Sequence, residues 1–256
     1  MPSQKIPDAE AIEDHDRQYG HGPTTEKELD SKYPNRPRNH HKTLPFHDLF
    51  MTLFDPLLDN AKGKKTGNPV SRRKQGSHGP AKQSSTDIKI NIIQRFISRW
   101  RGEVGDDFYP ALRLIVPDKD RDRPMYGLKE RAIAKLLIKL LKIGPKTEDA
   151  SNLLNWKLPS QTTGYGVAGD FPSGCHAVLK KRPMRTDVGD MRIAEVNELL
   201  DKLAAAQKEE AQLPIFTEFY NRMNADEMHW VIRIILRRLN MGATEKTFFH
   251  VSAHDR

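Results

Sequence analysis

Apolar residues recur along this chain at the three-and-four spacing of helical faces, and no segment sustains the alternation of a half-buried strand. Phe46, Leu49, Phe50, Leu53, Phe54, Leu57 and Leu58 predict a first helix, with Thr43 and Asp48 as start signals and Pro56 as its bend or end. Ile88, Ile92, Ile93, Phe96, Ile97 and Trp100 predict a second, N-capped by Asp87. A short helix is expected over 109–116, with Pro110 in its first turn, where a missing N–H costs nothing, and Pro117 as its stop. Leu128, Ile133, Leu136, Leu137, Leu140 and Leu141 make the clearest stripe, a helix over 127–142 closed by Gly144 and Pro145. Thr147 opens a short helix ending near Trp156, and others are expected at 170–180, 191–206, 213–223, 225–239 and 244–251.

Two stretches lack such faces. Residues 1–43 are polar and rich in Pro, Gly, His and charge, and residues 60–86 contain no large apolar side chain except Val70. Neither stretch buries enough surface to offset chain entropy. The pattern therefore predicts an all-α fold: a disordered tail over 1–43, then a compact multi-helix domain over 44–256 interrupted by a flexible basic loop at 60–86.

Composition narrows the function. With 37% apolar and 30% charged residues, no run of eighteen apolar residues and no secretory signal pattern, the chain is expected to be intracellular and without a membrane partner. The single cysteine, Cys175, excludes an intrachain disulfide framework and Cys-based zinc clusters. The formal charge of +8 favours an acidic partner, and it is uneven: residues 60–86 carry seven Lys or Arg and no Asp or Glu. Lys62, Lys64, Lys65, Arg72, Arg73 and Lys74 are DNA-binding candidates there, although Arg72, Arg73 and Lys74 also read as a nuclear localisation signal. Lys180, Lys181 and Arg182, with Arg185, form a second basic cluster.

Catalytic signatures fail on context. Gly164, Gly166 and Gly169 fit G-x-G-x-x-G, but the preceding residues Leu158 to Thr163 are no hydrophobic strand, so a dinucleotide fold is rejected. What survives is a glycine loop whose amides, ahead of a helix beginning near Asp170, suit a phosphate. Arg238, Gly242 and Thr244 mark a similar helix-to-helix turn; the plainer use of Arg237 and Arg238 is to complement a helix C-terminus. The ten histidines sit in no H-E-x-x-H pair, so no metal site is expected. Cys175 beside His176 is adjacency in sequence only, and no Walker A or G-x-S-x-G sequence occurs.

Several segments together resemble the N-terminal DNA-binding domain of eukaryotic ATP-dependent DNA ligases, with the ligase IV branch nearest. They are residues 45–49 (PFHDL), 108–117 (FYPALRLIVP), 126–130 (YGLKE), 168–171 (AGDF), 178–181 (VLKK), 196–200 (VNELL) and 230–236 (WVIRIIL), in that order. The resemblance runs from about 45 to 254. It implies an all-helical domain that contacts the backbone and minor groove of duplex DNA at a nick or double-strand end, in the nucleus, during non-homologous end joining. Carried over by position, Lys62, Lys64 and Lys65 match a basic loop, Gly127 and Lys129 a glycine-led helix start, and Gly166, Gly169, Lys180 and Gly242 other turns near DNA. No cofactor is expected on this chain. ATP and Mg2+ would serve the complete ligase, through a K-x-D-G lysine that is absent here and expected after residue 256. Residues 60–86 are longer, and 100–107 shorter, than the pattern of this family. The shorter segment bears on a further partner, a peptide of an Artemis-like nuclease, for which Phe46, Phe50, Phe96 and Trp100 would form an apolar groove. The rival readings are a nuclear protein-interaction scaffold whose basic loop is only a localisation signal, and an enzyme using the glycine loop.

Overall fold

The computed structural model describes residues 26–63, 84–157 and 170–254. The chain opens with α1 (Glu26–Lys32) and then α2 (Phe46–Leu49), a π-helical turn (Phe50–Phe54) and α3 (Asp55–Gly63). There follow α4 (Ser85–Glu103), α5 (Tyr109–Ile115), α6 (Glu130–Leu140), α7 (Glu148–Leu154) and α8 (Phe171–Leu179). Last come α9 (Ile193–Ala205), α10 (Glu209–Arg222), α11 (Ala225–Ile235) and α12 (Glu245–His254). Among the described residues β-pairing is confined to isolated bridges, and no helix is long and apolar enough to cross a membrane.

The first predicted helix is three segments. Pro56 does not end it; the preceding turn widens, so that the Asp55 N–H reaches the Phe50 carbonyl, and the chain continues as α3. The bounds expected at 60 and 86 move inward: residues 60–63 finish α3, and α4 already begins at Ser85. The cap of α4 is also Ser84 rather than Asp87. The Ser84 Oγ accepts from the Asp87 N–H (3.1 Å) while the Asp87 carboxylate accepts from the Ser84 N–H (3.0 Å), a reciprocal capping box. The Ser84 hydroxyl also donates to the Asp87 carboxylate (2.7 Å), and this bond, then the one from the Ser84 N–H, hold that carboxyl below its ordinary pKa.

The expected tail boundary at 43 moves as well. Residues 38–45 run across the fold as a strap, tied by hydrogen bonds where apolar periodicity gave no signal. Asn39 Oδ1 accepts from the Asp107 N–H (3.1 Å), and His40 donates to the Val104 carbonyl (2.8 Å). At the other end, Thr43 Oγ1 accepts from the Ala194 N–H in the first turn of α9 (3.0 Å), and Arg192 donates to the Thr43 carbonyl (2.6 Å). Thr43 is fully buried.

At the centre lies α11. Met228, Trp230, Val231, Ile232, Ile234 and Ile235 are buried, the all-round apolar signature of an interior helix. It packs on α8, and Trp230 meets Phe54 at 4.9 Å between ring centroids. Around this axis α3 and α12 pack on α4, α9 on α5 and α10, and α6 on α7 and α10. Phe46, Phe50, Phe96 and Trp100 all belong to this core, with at most 4% exposure. The apolar groove assigned to them is therefore corrected: Trp100 donates to the Asp107 carbonyl (2.9 Å) and stacks edge-on to Phe108, which leaves no open face.

Candidate nucleic-acid interface

Two turns that lie more than a hundred residues apart in sequence meet at the C-terminal end of α11. The first leads into α6 and carries Gly127 at φ +66°; the second leads from α11 to α12 and carries Gly242 at φ +72°, both in the left-handed region that glycine enters without strain. Arg237 joins them by donating to the carbonyls of Arg123 (3.0 Å) and Pro124 (3.5 Å). Arg238, 61% exposed, bonds Glu130 at 2.7 Å. Both arginines line two adjoining clefts. One, of about 380 Å³, is bounded by Met125–Glu130 and Ile235–Arg238; the other, of about 630 Å³, by Ile115–Lys119 and Arg237–Lys246. A Cβ on Gly242 would stand 2.8 Å from the Ala61 Cβ, so this turn also abuts the last turn of α3, where Lys62 is exposed. The structure thus brings Lys62, Gly127, Lys129, Arg238, Gly242 and Thr244 to one end of the molecule.

The loop that presents Gly127 is held from beneath by buried charge. Arg113 donates to Asp120 (2.9 Å) and in a fork to Asp201 (2.6 and 3.0 Å). Arg123 donates to Asp201 (2.7 Å) and to Asn197 Oδ1 (2.7 Å), whose amide in turn donates to the Pro110 carbonyl. Burial works against the charged Arg113, but Asp201 and Asp120 outweigh it and hold its pKa above the ordinary value. Tyr109, half-buried and donating to Asp122, has its phenol pushed well up, mainly by desolvation.

The second basic cluster lies elsewhere. Asp170 at the start of α8 pairs with Arg233 near the end of α11, whereas His176 and Lys180 pair with Asp226 near its beginning, so the two helices run antiparallel. Lys180, Lys181 and Arg182 therefore lie about 16 Å, the length of α11, from the Arg238 turn. They are also opposed: Lys180 faces Asp226 at 3.6 Å, and Lys181 and Arg182 share Asp149. The expected glycine loop with Gly166 and Gly169, and the cations Lys64, Lys65, Arg72, Arg73 and Lys74, fall outside the described residues.

Three residues near the paired turns had escaped notice. Arg131 and Lys135 are exposed on α6 four residues apart, a spacing the sequence did contain; Lys139, next in that series, is spoken for by Glu209 at 2.9 Å. Met125, beside Gly127, had no such signal.

No nucleophile emerges from the adjacent Cys175 and His176. Burial raises the thiol pKa well above normal, and the imidazole turns to Asp226 at 2.6 Å. Among the described residues no group of three His, Cys, Asp or Glu could hold a metal. His229 does have a physical consequence. Its Nε2 accepts from Arg233 Nε (2.6 Å), and burial, then the Arg233 charge, depress its pKa to about 3. The native state refuses a proton that the unfolded chain accepts below its ordinary value of about 6.5. Stability is then complete above that value and falls as pH drops toward 3, by up to about 1.4 kcal/mol per pH unit. Urea midpoints at pH 7 and pH 5 should diverge for the native sequence and converge for His229→Gln; equal pH slopes in the two proteins would refute this.

Comparison with known proteins adds the following. Residues 45–253 match the family described as DNA ligase N terminus. The chain is 63% identical over 228 residues to DNA ligase 4 of Aspergillus oryzae, covering 88% of this chain and 22% of that protein. It is 58% identical over 237 residues to DNA ligase 4 of Coccidioides immitis, covering 92% and 24%. Against DNA ligase 4 of Neurospora crassa the identity is 54% over 249 residues, covering 96% and 24%. The chain spans about a quarter of the length of these curated relatives.

Proposed function

The chain belongs to the DNA ligase N-terminal family, and from that membership we propose that it grips duplex DNA beside a nick or double-strand end and positions it for sealing. The observation that carries this reading is the meeting of the Gly127 and Gly242 turns, flanked by Lys62, Lys129 and Arg238, at one end of α11. Left-handed glycines let a backbone approach closely, and exposed Lys and Arg beside them neutralise phosphates. α8 begins at this same end, because Asp170 pairs with Arg233. Lys64, Lys65, Arg72, Arg73 and Lys74, which follow α3 in sequence, are proposed to add to these DNA-binding cations.

The relatives are named DNA ligase 4, and we carry their role over as a nuclear one in double-strand-break repair by end joining. ATP and Mg2+ belong in this reading to the adenylating lysine of a K-x-D-G sequence, which this chain does not contain. Its own contribution is to hold and orient DNA, and the rest of the ligase is its partner. A peptide of an Artemis-like nuclease would need a face other than the four buried aromatics.

Salt dependence tests the proposal. Binding of the chain to a nicked duplex should weaken with added KCl, log K against log salt having a slope between about −3 and −5 as three to five phosphates are neutralised. Affinity indifferent to salt would point instead to a protein-interaction scaffold.

A further inference from the structure

Met125 is 78% exposed, more than any other large apolar side chain among the described residues. Its neighbours are fixed on both sides. Arg237 holds the carbonyls of Arg123 and Pro124, the Arg123 side chain is locked to Asp201 and Asn197, and Tyr126 and Leu128 are buried at 5% and 8% exposure. The backbone therefore holds the thioether out in solvent and gives it no core to retreat to. It stands at the rim of the 380 Å³ cleft with Gly127, Lys129 and Arg238. The charges lining that cleft are Lys129, Arg237, Arg238 and a single acid, Glu130, already bonded to Arg238.

An apolar tip fixed between cations complements one feature of duplex DNA. The minor groove offers sugar and base edges flanked by two rows of phosphate, and proteins that enter it place Met, Leu, Ile or Phe between flanking basic residues. A flexible, polarizable Met adapts to such a surface without demanding one shape. We propose that Met125 enters the minor groove as the apolar contact of this interface, with Lys129 and Arg238 on the phosphates beside it. This rests on the DNA-binding reading above.

The test separates the two claims. Affinity of the chain for a nicked, A·T-rich duplex is measured across a KCl series for the native sequence, Met125→Ala, Met125→Leu and Arg238→Ala, with circular dichroism as a control for folding. Removing an apolar contact changes affinity without releasing counterions; removing a phosphate contact changes the salt slope. Met125→Ala should bind about five- to tenfold more weakly at every salt concentration with an unchanged slope, and Met125→Leu should bind like the native sequence. Arg238→Ala should flatten the slope by about one. Filling the groove with netropsin should bring the native protein down to the Met125→Ala affinity. If Met125→Ala binds normally while Arg238→Ala flattens the slope, the Met125 proposal falls and the function stands. If netropsin has no effect, the groove assignment falls. If no variant nor the native chain shows salt-dependent binding, both claims fall together.

Discussion

Asp201→Ala will destabilise the domain by about 3–5 kcal/mol and lower its melting temperature by about 10 °C. Asp201 is the acid that two buried guanidiniums share: Arg113 in a fork and Arg123 through Nε. Both arginine side chains are at most 1% exposed, and both also pair with the buried Asp120. Two desolvated cations would then lose the acid they share, the situation in which breaking a buried pair costs far more than the pair contributes. Asp201→Asn, which keeps an oxygen acceptor and loses the charge, should fall between. Thermal melts and urea titrations of the three proteins check this. A loss below about 1 kcal/mol would mean that the network is solvated and behaves like a surface pair.

Gly242→Val should be the most damaging single change at the paired turns. A β-branched residue at φ +72° is strained by about 1–3 kcal/mol, and its Cβ would press on the Ala61 Cβ at 2.8 Å. The turn can relieve that contact only by moving away from α3, which separates Lys62 from Arg238. We expect DNA affinity to drop at least about tenfold while the helical content of the core persists, because Gly242 contributes nothing to it. Pairing Gly242→Ala with Ala61→Gly divides the causes: the second change removes the clash and leaves the backbone strain. Full recovery of affinity in the double variant would show that strain plays no part; native affinity in Gly242→Val would remove the turn from the interface.

The interior helices were legible because their order is local. α6, α9 and α11 each bury a stripe that the spacing of Leu, Ile and Val announces, and each begins within three residues of its expected start. Apolar spacing does not mark α1 and the strap after it, because the strap's anchoring is polar and distant; Thr43 is satisfied by residues some 150 positions away, which no periodicity encodes. α10 begins at Glu209, ahead of its expected start; Glu209, Glu210, Ala211 and Pro214 are exposed, so no apolar spacing marks its first turn. The site divides the same way. Each glycine turn could be found alone, but their meeting depends on Arg237 reaching across to Arg123 and Pro124. The Lys180 cluster looked stronger in sequence than in space, since Asp149 and Asp226, which oppose it, come from other helices. The buried aromatics show the converse: their spacing announced a helix face, and the core rather than a partner covers it.

The helices that end around the paired turns do not agree in polarity. α6 and α12 arrive with their N-termini, the positive ends of their dipoles, while α3 and α11 arrive with their negative C-termini. With the N-terminus of α8 also at this end, partial charges of both signs largely offset one another, so the backbone supplies only a small net field to an approaching polyanion. Whatever attraction this end of the molecule exerts comes from ammonium and guanidinium groups on flexible stems. Its strength is therefore set by side-chain composition, and it can be tuned residue by residue without any change of fold.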